Sequence, residues 1–341
     1  MVFELTDSLI NESVVNTKDI RDSLHNLFLG YEEGNLILSL SPDLLNFLDS
    51  RLTDSLSKRV INYLKNKALA RYDVLWNTKI VLDNPNYENH ELSIRFFRKS
   101  STVQPPILLC ENLRDTRFYF ALCKEYFGIE FINTKRVLGG GGSATADSLE
   151  SIVNLFDCFC LCIVDSDMKY PGSEDGGTYR AIQNKNLLPN PTFYVYKLNV
   201  HEIENLIPLD SICQHIKDRK GRLFAKKLKW ADKDGDILKY YDIKNGIELE
   251  TIQKDELYRN FAEMIYARLG KRPSFNKYLS TIRDGQVFRH LCPGIVDAIL
   301  KPITRRNEPR FIYCDYLREE WDSIQKFIVT FFCARNDDPI N

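Results

Sequence analysis

Short apolar runs of strand length alternate with apolar residues at helical spacing through the middle of the chain. Residues 115–127 place Phe118, Leu122 and Tyr126 on one helical face, and further helices are predicted near 145–156 and 179–186. The predicted strands between them are 107–110, 129–132, 159–164 and 193–198, and the second of these leads through Val137 and Leu138 into a glycine run. Strands that alternate with amphipathic helices predict an α/β fold with a mostly parallel sheet flanked by helices on both faces.

The pattern differs on either side of this stretch. Residues 1–104 predict a mixed α/β region with an accessory or partner-binding role. Its elements are a strand at 36–40, helical spacing over 42–64 and a strand at 94–97. After about residue 208 the pattern becomes mainly helical, with helices near 254–269 and 316–332. The sequence therefore predicts three regions: 1–104, 105–208 and 209–341.

Charge and cysteine content limit the classes of protein. The chain has 341 residues, with 46 Lys and Arg against 47 Asp and Glu, which excludes a histone-like polycation. The basic run at 217–229 keeps nucleic-acid binding open. No apolar run reaches the roughly 20 residues that cross a bilayer, so no membrane association is expected. Nine scattered cysteines without a CxxC pair indicate reduced thiols and a cytoplasmic location.

Acidic residues follow three of the predicted strands. They are Glu111, the pair Asp165 and Asp167, and the pair Glu202 and Glu204. In parallel sheets, ligands bind beyond the carboxyl ends of the strands. Carboxylate oxygens together with water and phosphate suit Mg²⁺ or Mn²⁺. One or two such ions could promote phosphodiester hydrolysis.

A run of four glycines, Gly139, Gly140, Gly141 and Gly142, lies between a predicted strand and a predicted helix. Its backbone N–H groups could approach an anionic group. The run lacks the Gly-Lys-Ser/Thr ending of a P-loop, so an ATP site is rejected there.

In their order along residues 106–208, these motifs resemble the Toprim domain, a metal-binding fold of topoisomerases, primases and OLD-family nucleases. Glu111 and Asp115 match the first signature, with Asn112 where glycine is usual. The glycine run matches the second turn, and Asp165 and Asp167 match the Asp-x-Asp signature. The segment 202–205, Glu-Ile-Glu-Asn, matches an element of the OLD-like branch.

The resemblance implies a metal-dependent nuclease (a hydrolase) and assigns roles to particular residues. Metal ligands would be Glu111, Asp165, Asp167, Glu202 and Glu204, with Asp115 supporting the same site. A downstream lysine that stabilises transition-state charge would be Lys244. The substrate would be DNA or RNA, including tRNA. Stand-alone Toprim proteins of this kind act as toxic effectors of antiviral defence with a separately encoded ATPase or sensor.

Other interpretations stay open at this stage. An apolar strand followed by Asp-x-Asp also occurs in glycosyltransferases that bind a nucleotide-sugar through a metal, although Glu111 would then have no role. A non-catalytic interaction subunit is a further alternative, since Glu111 alone could cap a helix. His201 adjoins the acidic site, where a surface or hydrogen-bonding role is favoured over ligation. The oligomeric state is open, and a homo-oligomer is one of the states considered.

Overall fold

The structure is a computed structural model that describes residues 1–66, 74–129, 135–155, 157–187, 191–232, 235–270, 273–301, 311 and 314–333. The chain forms two compact units, each built from several segments. Unit 1 comprises Met1–Ile163, Ile182–Tyr196 and Ile324–Asn341, and unit 2 comprises Val164–Ala181 and Lys197–Ser323. The three regions predicted from the sequence, 1–104, 105–208 and 209–341, are consecutive stretches of the chain and stay a prediction.

The first sheet has four parallel strands in the order β2-β1-β3-β4. These strands are β1 Val2–Leu5, β2 Ile37–Leu40, β3 Thr78–Val81 and β4 Glu91–Ser93. The helices in this part of the chain are α1 Glu12–Val15, α2 Lys18–Glu32, α3 Pro42–Arg51 and α4 Ser55–Asn66. The predicted strand at 36–40 and the helical spacing over 42–64 are confirmed as β2, α3 and α4.

One predicted element in this region is wrong. Residues 94–97, expected as a strand, lie in a 3-10 helix at Ile94–Arg98. Ile94 and Phe97 are both buried, and their separation of three residues places them on one side of a helix with three residues per turn. The Ser93 hydroxyl accepts a hydrogen bond from the Arg95 N–H and caps this turn.

The second sheet has the order β6-β5-β7-β8, and β5 pairs in parallel with both β6 and β7. Its strands are β5 Ile107–Cys110, β6 Val137–Gly139, β7 Cys160–Val164 and β8 Phe193–Lys197. Every residue of β5 and β7 is buried, as expected for strands covered on both faces. The α/β class with parallel sheets flanked by helices is therefore confirmed.

Three helices accompany this sheet: α5 Leu113–Ala121, α6 Thr145–Leu155 and α7 Gly177–Asn184. The helix predicted over 115–127 ends in a π-helical turn at Leu122–Tyr126. The strand predicted at 129–132 falls largely outside the described residues. All nine cysteines are free thiols, and Cys158, Cys160 and Cys162 are buried as small core residues.

The remainder of the chain is mainly helical, as predicted. The helices are α8 Leu209–His215, α9 Arg219–Ala231, α10 Leu249–Lys254, α11 Glu256–Arg268, α12 Phe275–Leu279, α13 Ile295–Leu300 and α14 Arg318–Phe332. Two short strands, β9 Ile247–Glu248 and β10 Gln286–Phe288, pair antiparallel. Among the described helices, none is both long enough and apolar enough to span a membrane.

Candidate functional site

The first group of predicted site residues belongs to unit 1. Glu111 directly follows β5 and is half-buried. The Gly140 N–H donates to the Cys110 carbonyl at 2.7 Å, and the Gly141 N–H donates to the Glu111 carbonyl at 2.9 Å. A Cβ atom on Gly140 would lie 2.3 Å from Thr145 Oγ1, so only glycine fits at this close approach. Two N–H groups of the glycine run thus donate to carbonyls at the end of β5, one in its last residue and one in the residue that follows it.

Asp115 is buried and closes the first turn of α5. Its Oδ2 accepts a hydrogen bond from the Asn112 N–H at 3.0 Å, and Arg114 Nε lies 3.6 Å from its Oδ1. A carboxylate at the third position of a helix that accepts from the cap N–H is half of a capping box. Asp115 therefore has a structural partner within its own turn.

The second group of predicted residues belongs to unit 2 and begins directly after β7. The Asp165 Oδ1 accepts a hydrogen bond from the Ile203 N–H at 3.0 Å. The intervening Ser166 hydroxyl donates to the Val200 carbonyl at 2.6 Å. These bonds fasten the segment after β7 to the segment after β8, so the Asp-x-Asp and Glu-x-Glu motifs lie side by side.

Asp167 has a left-handed backbone with φ of 52°, a conformation that aspartate tolerates better than most residues. Its N–H donates to the His201 carbonyl at 2.8 Å. A Cβ on Gly176 would lie 2.1 Å from Asp167 Oδ2, so this glycine provides the space for the carboxylate. Burial raises the pKa of Asp167, and the negative charge of Glu202 adds to the rise against the opposing charge of His201.

An amide closes the turn after β8. The Asn205 Oδ1 accepts from the Glu202 N–H at 3.1 Å. Its Nδ2 donates to the carbonyls of Leu238 at 2.7 Å and Tyr241 at 2.8 Å. Because Asn205 fills the position that Asp115 fills in α5, neither Glu202 nor Glu204 is needed at the third position of this turn.

Lys244 pairs with both glutamates of the Glu-x-Glu motif. Its Nζ lies 2.7 Å from Glu202 Oε2 and 3.1 Å from Glu204 Oε2. Burial lowers the pKa of Lys244, but the two carboxylates outweigh it and the net pKa is raised. Glu204 is fully buried, and this burial raises its pKa. The negative charge of Glu202 adds to the rise, while the Lys244 ammonium, which serves both carboxylates, opposes it.

Sequence reasoning missed one member of this cluster, Asp242, and placed another, His201, next to the site without making it a ligand. His201 Nε2 lies 3.7 Å from Glu202 Oε1 and 3.9 Å from Asp242 Oδ2. His201 is only 5% exposed, so the surface role considered for it is excluded. A signal for Asp242 was present, since it stands two residues before Lys244, which sequence reasoning had already assigned to the site.

The electrostatics of this pair follow from its surroundings. Burial lowers the pKa of His201, but its contact with Asp242 and the charges of Glu202 and Asp167 give a net rise. Burial raises the pKa of Asp242, but contacts with His201 and Asn245 give a net fall. The Asn245 N–H donates to Asp242 Oδ1 at 2.6 Å and its Nδ2 donates to Oδ2 at 3.1 Å, which fixes the carboxylate.

A pocket of about 170 Å³ borders the cluster. Its walls are Lys169, His201, Asp242, Asn245, Gly246, Glu248, Thr251 and Tyr258. A pocket of this size has room for several water molecules. The pocket therefore leaves space for a small polar or anionic group next to His201 and Asp242.

Comparisons with family models, curated proteins and solved structures find no match to this chain. Its function is therefore argued from the chemistry of the cluster.

Proposed function

We propose that the chain is a metal-dependent nuclease that hydrolyses phosphodiester bonds in DNA or RNA. The observation that carries the proposal is the charge of the unit 2 cluster. Five carboxylates accompany two lysines and one histidine. The acids are Asp165, Asp167, Glu202, Glu204 and Asp242, and the basic residues are Lys169, Lys244 and His201. Partly buried carboxylates in such excess repel one another unless a cation joins them.

The donor atoms fit a divalent cation. Carboxylate oxygens of the Asp-x-Asp and Glu-x-Glu motifs, those of Asp167 and Glu202 among them, would hold Mg²⁺ or Mn²⁺, both of which prefer oxygen ligands. Such an ion supplies a Lewis acid for a phosphoryl oxygen. Burial and the negative charge of Glu202 raise the pKa of Asp167, and a bound divalent cation would offset both effects.

The chain's own residues would orient the reacting groups. Asp165 holds the Ile203 N–H and so keeps the two motifs in register. Lys244 is about one quarter exposed and remains protonated, so its ammonium can face a phosphate oxygen while it pairs with Glu202 and Glu204. A fixed positive charge of this kind stabilises negative charge that develops during phosphoryl transfer.

Helix α9 supplies a surface for a nucleic-acid backbone. Its buried side consists of small and aliphatic residues such as Ala225 and Leu228. The exposed side combines lysine and arginine with Leu223 at 55% and Trp230 at 74% exposure. Cationic side chains next to an exposed aromatic ring suit phosphates and unstacked bases.

A cleavage assay tests the proposal. The purified protein is incubated with plasmid, single-stranded DNA and tRNA in the presence of Mg²⁺ or Mn²⁺. Cleavage is expected with metal, is abolished by a chelator, and is lost in an Asp165→Asn/Asp167→Asn variant. The matched control is Asp210→Asn, at an exposed aspartate that pairs with Lys229 at the surface of the same unit. Cleavage that survives in the double variant would rule out this site.

Binding to labelled single-stranded nucleic acid tests the α9 surface separately. Lys226→Glu/Lys227→Glu is expected to weaken binding by roughly tenfold or more and to reduce its salt dependence. Lys18→Glu/Lys277→Glu alters the same charge at two other exposed lysines and is expected to bind as the wild type does. Equal losses in both variants would mean that only the net charge matters.

A non-catalytic interaction subunit is the second candidate, and one observation favours it. Lys244 already pairs with Glu202 and Glu204, and Asp165 already holds a backbone N–H, so several acids have structural partners without any ion. In that case the protein binds no divalent cation and cleaves none of the three substrates. Partner binding would then survive the Asp165→Asn/Asp167→Asn change.

We further propose an effector role in antiviral defence, together with a separately encoded ATPase or sensor. The resemblance of the acidic motifs to Toprim nucleases supports it. Expression in bacteria with and without phage challenge tests it. Toxicity that depends on Asp165 and Asp167 is expected, whereas equal toxicity of the wild type and the double variant would contradict a nuclease effector.

A further inference from the structure

Glu202 faces two chemically different neighbours. Its Oε2 pairs with the Lys244 ammonium at 2.7 Å, whereas its Oε1 lies 3.7 Å from His201 Nε2. The Lys244 ammonium therefore lies on the Oε2 side of Glu202, where it also pairs with Glu204. On the other side, Glu202 meets His201 and Asp242.

The geometry on this second side suits a shared ion better than direct hydrogen bonds. The distances of 3.7 and 3.9 Å from His201 Nε2 to the two carboxylates exceed hydrogen-bond length. One ligand atom from each of His201, Glu202 and Asp242 lies within 4.8 Å of the others. Two atoms bound to one ion at about 2.1 Å lie at most about 4.2 Å apart, so small side-chain rotations suffice.

His201 supplies a separate indication of a ligand. His201 is buried, with only 5% of the residue exposed. Its Nδ1 has no hydrogen-bond partner among the residues that the structure describes. Nε2, not Nδ1, faces the two carboxylates, so Nε2 would bind the ion while Nδ1 carries the ring proton. The backbone of His201 is fixed on both sides, since its N–H donates to the Lys239 carbonyl and its own carbonyl accepts from Asp167.

We propose that His201, Glu202 and Asp242 form a binding site for one divalent transition-metal ion, with Mn²⁺ preferred over Mg²⁺. An imidazole nitrogen with two carboxylates suits transition metals, whereas Mg²⁺ favours an all-oxygen set. Asn245 orients Asp242 as an outer partner orients a ligand. The adjacent pocket offers an entry path and space for water or a phosphate oxygen.

The site adds His201 and Asp242 to the ligands expected from the sequence and makes Glu202 a link between the ion and Lys244. Its use in catalysis rests on the proposed nuclease function. The ion-binding test does not, because it measures binding without any nucleic acid. Binding without cleavage would therefore refute the nuclease alone, and cleavage without histidine ligation would refute the site alone.

Electron paramagnetic resonance of the Mn²⁺-loaded protein tests the site directly. We expect stoichiometric binding and a nitrogen hyperfine coupling from a bound imidazole in the pulsed spectrum. Mg²⁺ is expected to displace Mn²⁺ only in large excess. No Mn²⁺ binding, or binding without a nitrogen coupling, overturns the proposal, and the wild-type spectrum decides this even if a variant fails to fold.

Two variants assign the ligands. His201→Gln is expected to remove the nitrogen coupling and Asp242→Asn to retain it, each with a loss of roughly 100-fold in Mn²⁺ affinity, since even outer partners contribute 10–100-fold. The matched controls are His215→Gln, where the ring contacts the Ser211 carbonyl, and Asp210→Asn. Unchanged affinity and coupling in His201→Gln would overturn the assignment.

Discussion

Two turns of the molecule are closed by nearly the same helix-capping hydrogen bond, but only one of them uses a charged side chain for it. In unit 1, the turn after β5 is closed by Asp115, whose carboxylate accepts the Asn112 N–H. In unit 2, the turn after β8 is closed by Asn205, whose amide oxygen accepts the Glu202 N–H. Both are the third-position half of a capping box.

The difference shows how an acidic motif becomes available for chemistry. Where an acid closes the turn, its charge is engaged locally, as in Asp115. Where an amide closes the turn, the acids of the same motif can face other groups, as Glu202 and Glu204 face Lys244. The identity of one capping residue therefore separates a structural acidic turn from one that contributes to a charged cluster.

An isosteric exchange at Asn205 should disturb unit 2 most. In Asn205→Asp, the side chain loses its donor to the Leu238 and Tyr241 carbonyls and places a buried charge against them. We expect a loss of about 3–5 kcal/mol in the free energy of unfolding. Urea unfolding followed by circular dichroism measures it. A loss below that of Asp115→Asn would contradict the comparison.

Removal of the lysine should be the next largest effect. Lys244→Ala leaves Glu202 and the fully buried Glu204 without their counter-charge, at an expected cost of about 3 kcal/mol. Addition of Glu204→Gln should recover part of that loss. The control Lys254→Ala breaks an exposed pair with Glu250 and should leave the free energy of unfolding almost unchanged.

Two adjacent glycines test the space around Asp167. Gly176→Ala places a Cβ 2.1 Å from Asp167 Oδ2 and should cost about 1–3 kcal/mol while weakening Mn²⁺ binding. Gly177→Ala meets no atom within 4 Å and should leave stability and Mn²⁺ affinity unchanged. Thermal unfolding and calorimetric titration with Mn²⁺ provide the two measurements. Similar effects at both positions would mean that Asp167 is not constrained by Gly176.

The reciprocal exchange in unit 1 should be mild. Asp115→Asn keeps an oxygen that can accept the Asn112 N–H, so the free energy of unfolding should change by about 0.5 kcal/mol or less. Cleavage activity then reports whether Asp115 also serves the chemistry that the family resemblance implies. A stable variant without activity assigns a functional role to Asp115, and a stable active variant leaves it as a cap.

The pH dependence should differ in sign between two carboxyl groups. The raised pKa of Glu204 means that the folded state binds its proton more tightly, so its contribution to stability decreases as pH rises above 4.5. Asp49 in unit 1 has a pKa lowered to about 2 by hydrogen bonds to Lys58 and Lys65, so its contribution decreases as pH falls from 3.8 toward 2. The free energy of unfolding is measured for Glu204→Gln and Asp49→Asn across pH 2–7. Relative to the wild type, Glu204→Gln should remove a decrease in stability with rising pH, and Asp49→Asn should remove a decrease in stability with falling pH.

The strand and helix pattern was predictable because it rests on local periodicity. Continuous apolar runs identified β5, β7 and β8; β5 and β7 are buried along their whole length, whereas β8 is mostly intermediate in exposure. The run at 94–97 was misassigned because four residues with buried Ile94 and Phe97 fit either a strand or a 3-10 turn. In a segment that short, packing decides between the two.

By itself, the sequence determined that acids follow the ends of several predicted parallel strands, and the family resemblance marked Lys244 as the candidate lysine for stabilising transition-state charge. Only the tertiary structure decided which acids share a site: it joins Asp165 to Ile203, brings Asp242 and the buried His201 to Glu202, and commits Asp115 to a helix cap. The physical reason is distance in the chain. Hydrophobic periodicity acts within a few residues, whereas charge pairing across about 40 positions depends on how the loops pack.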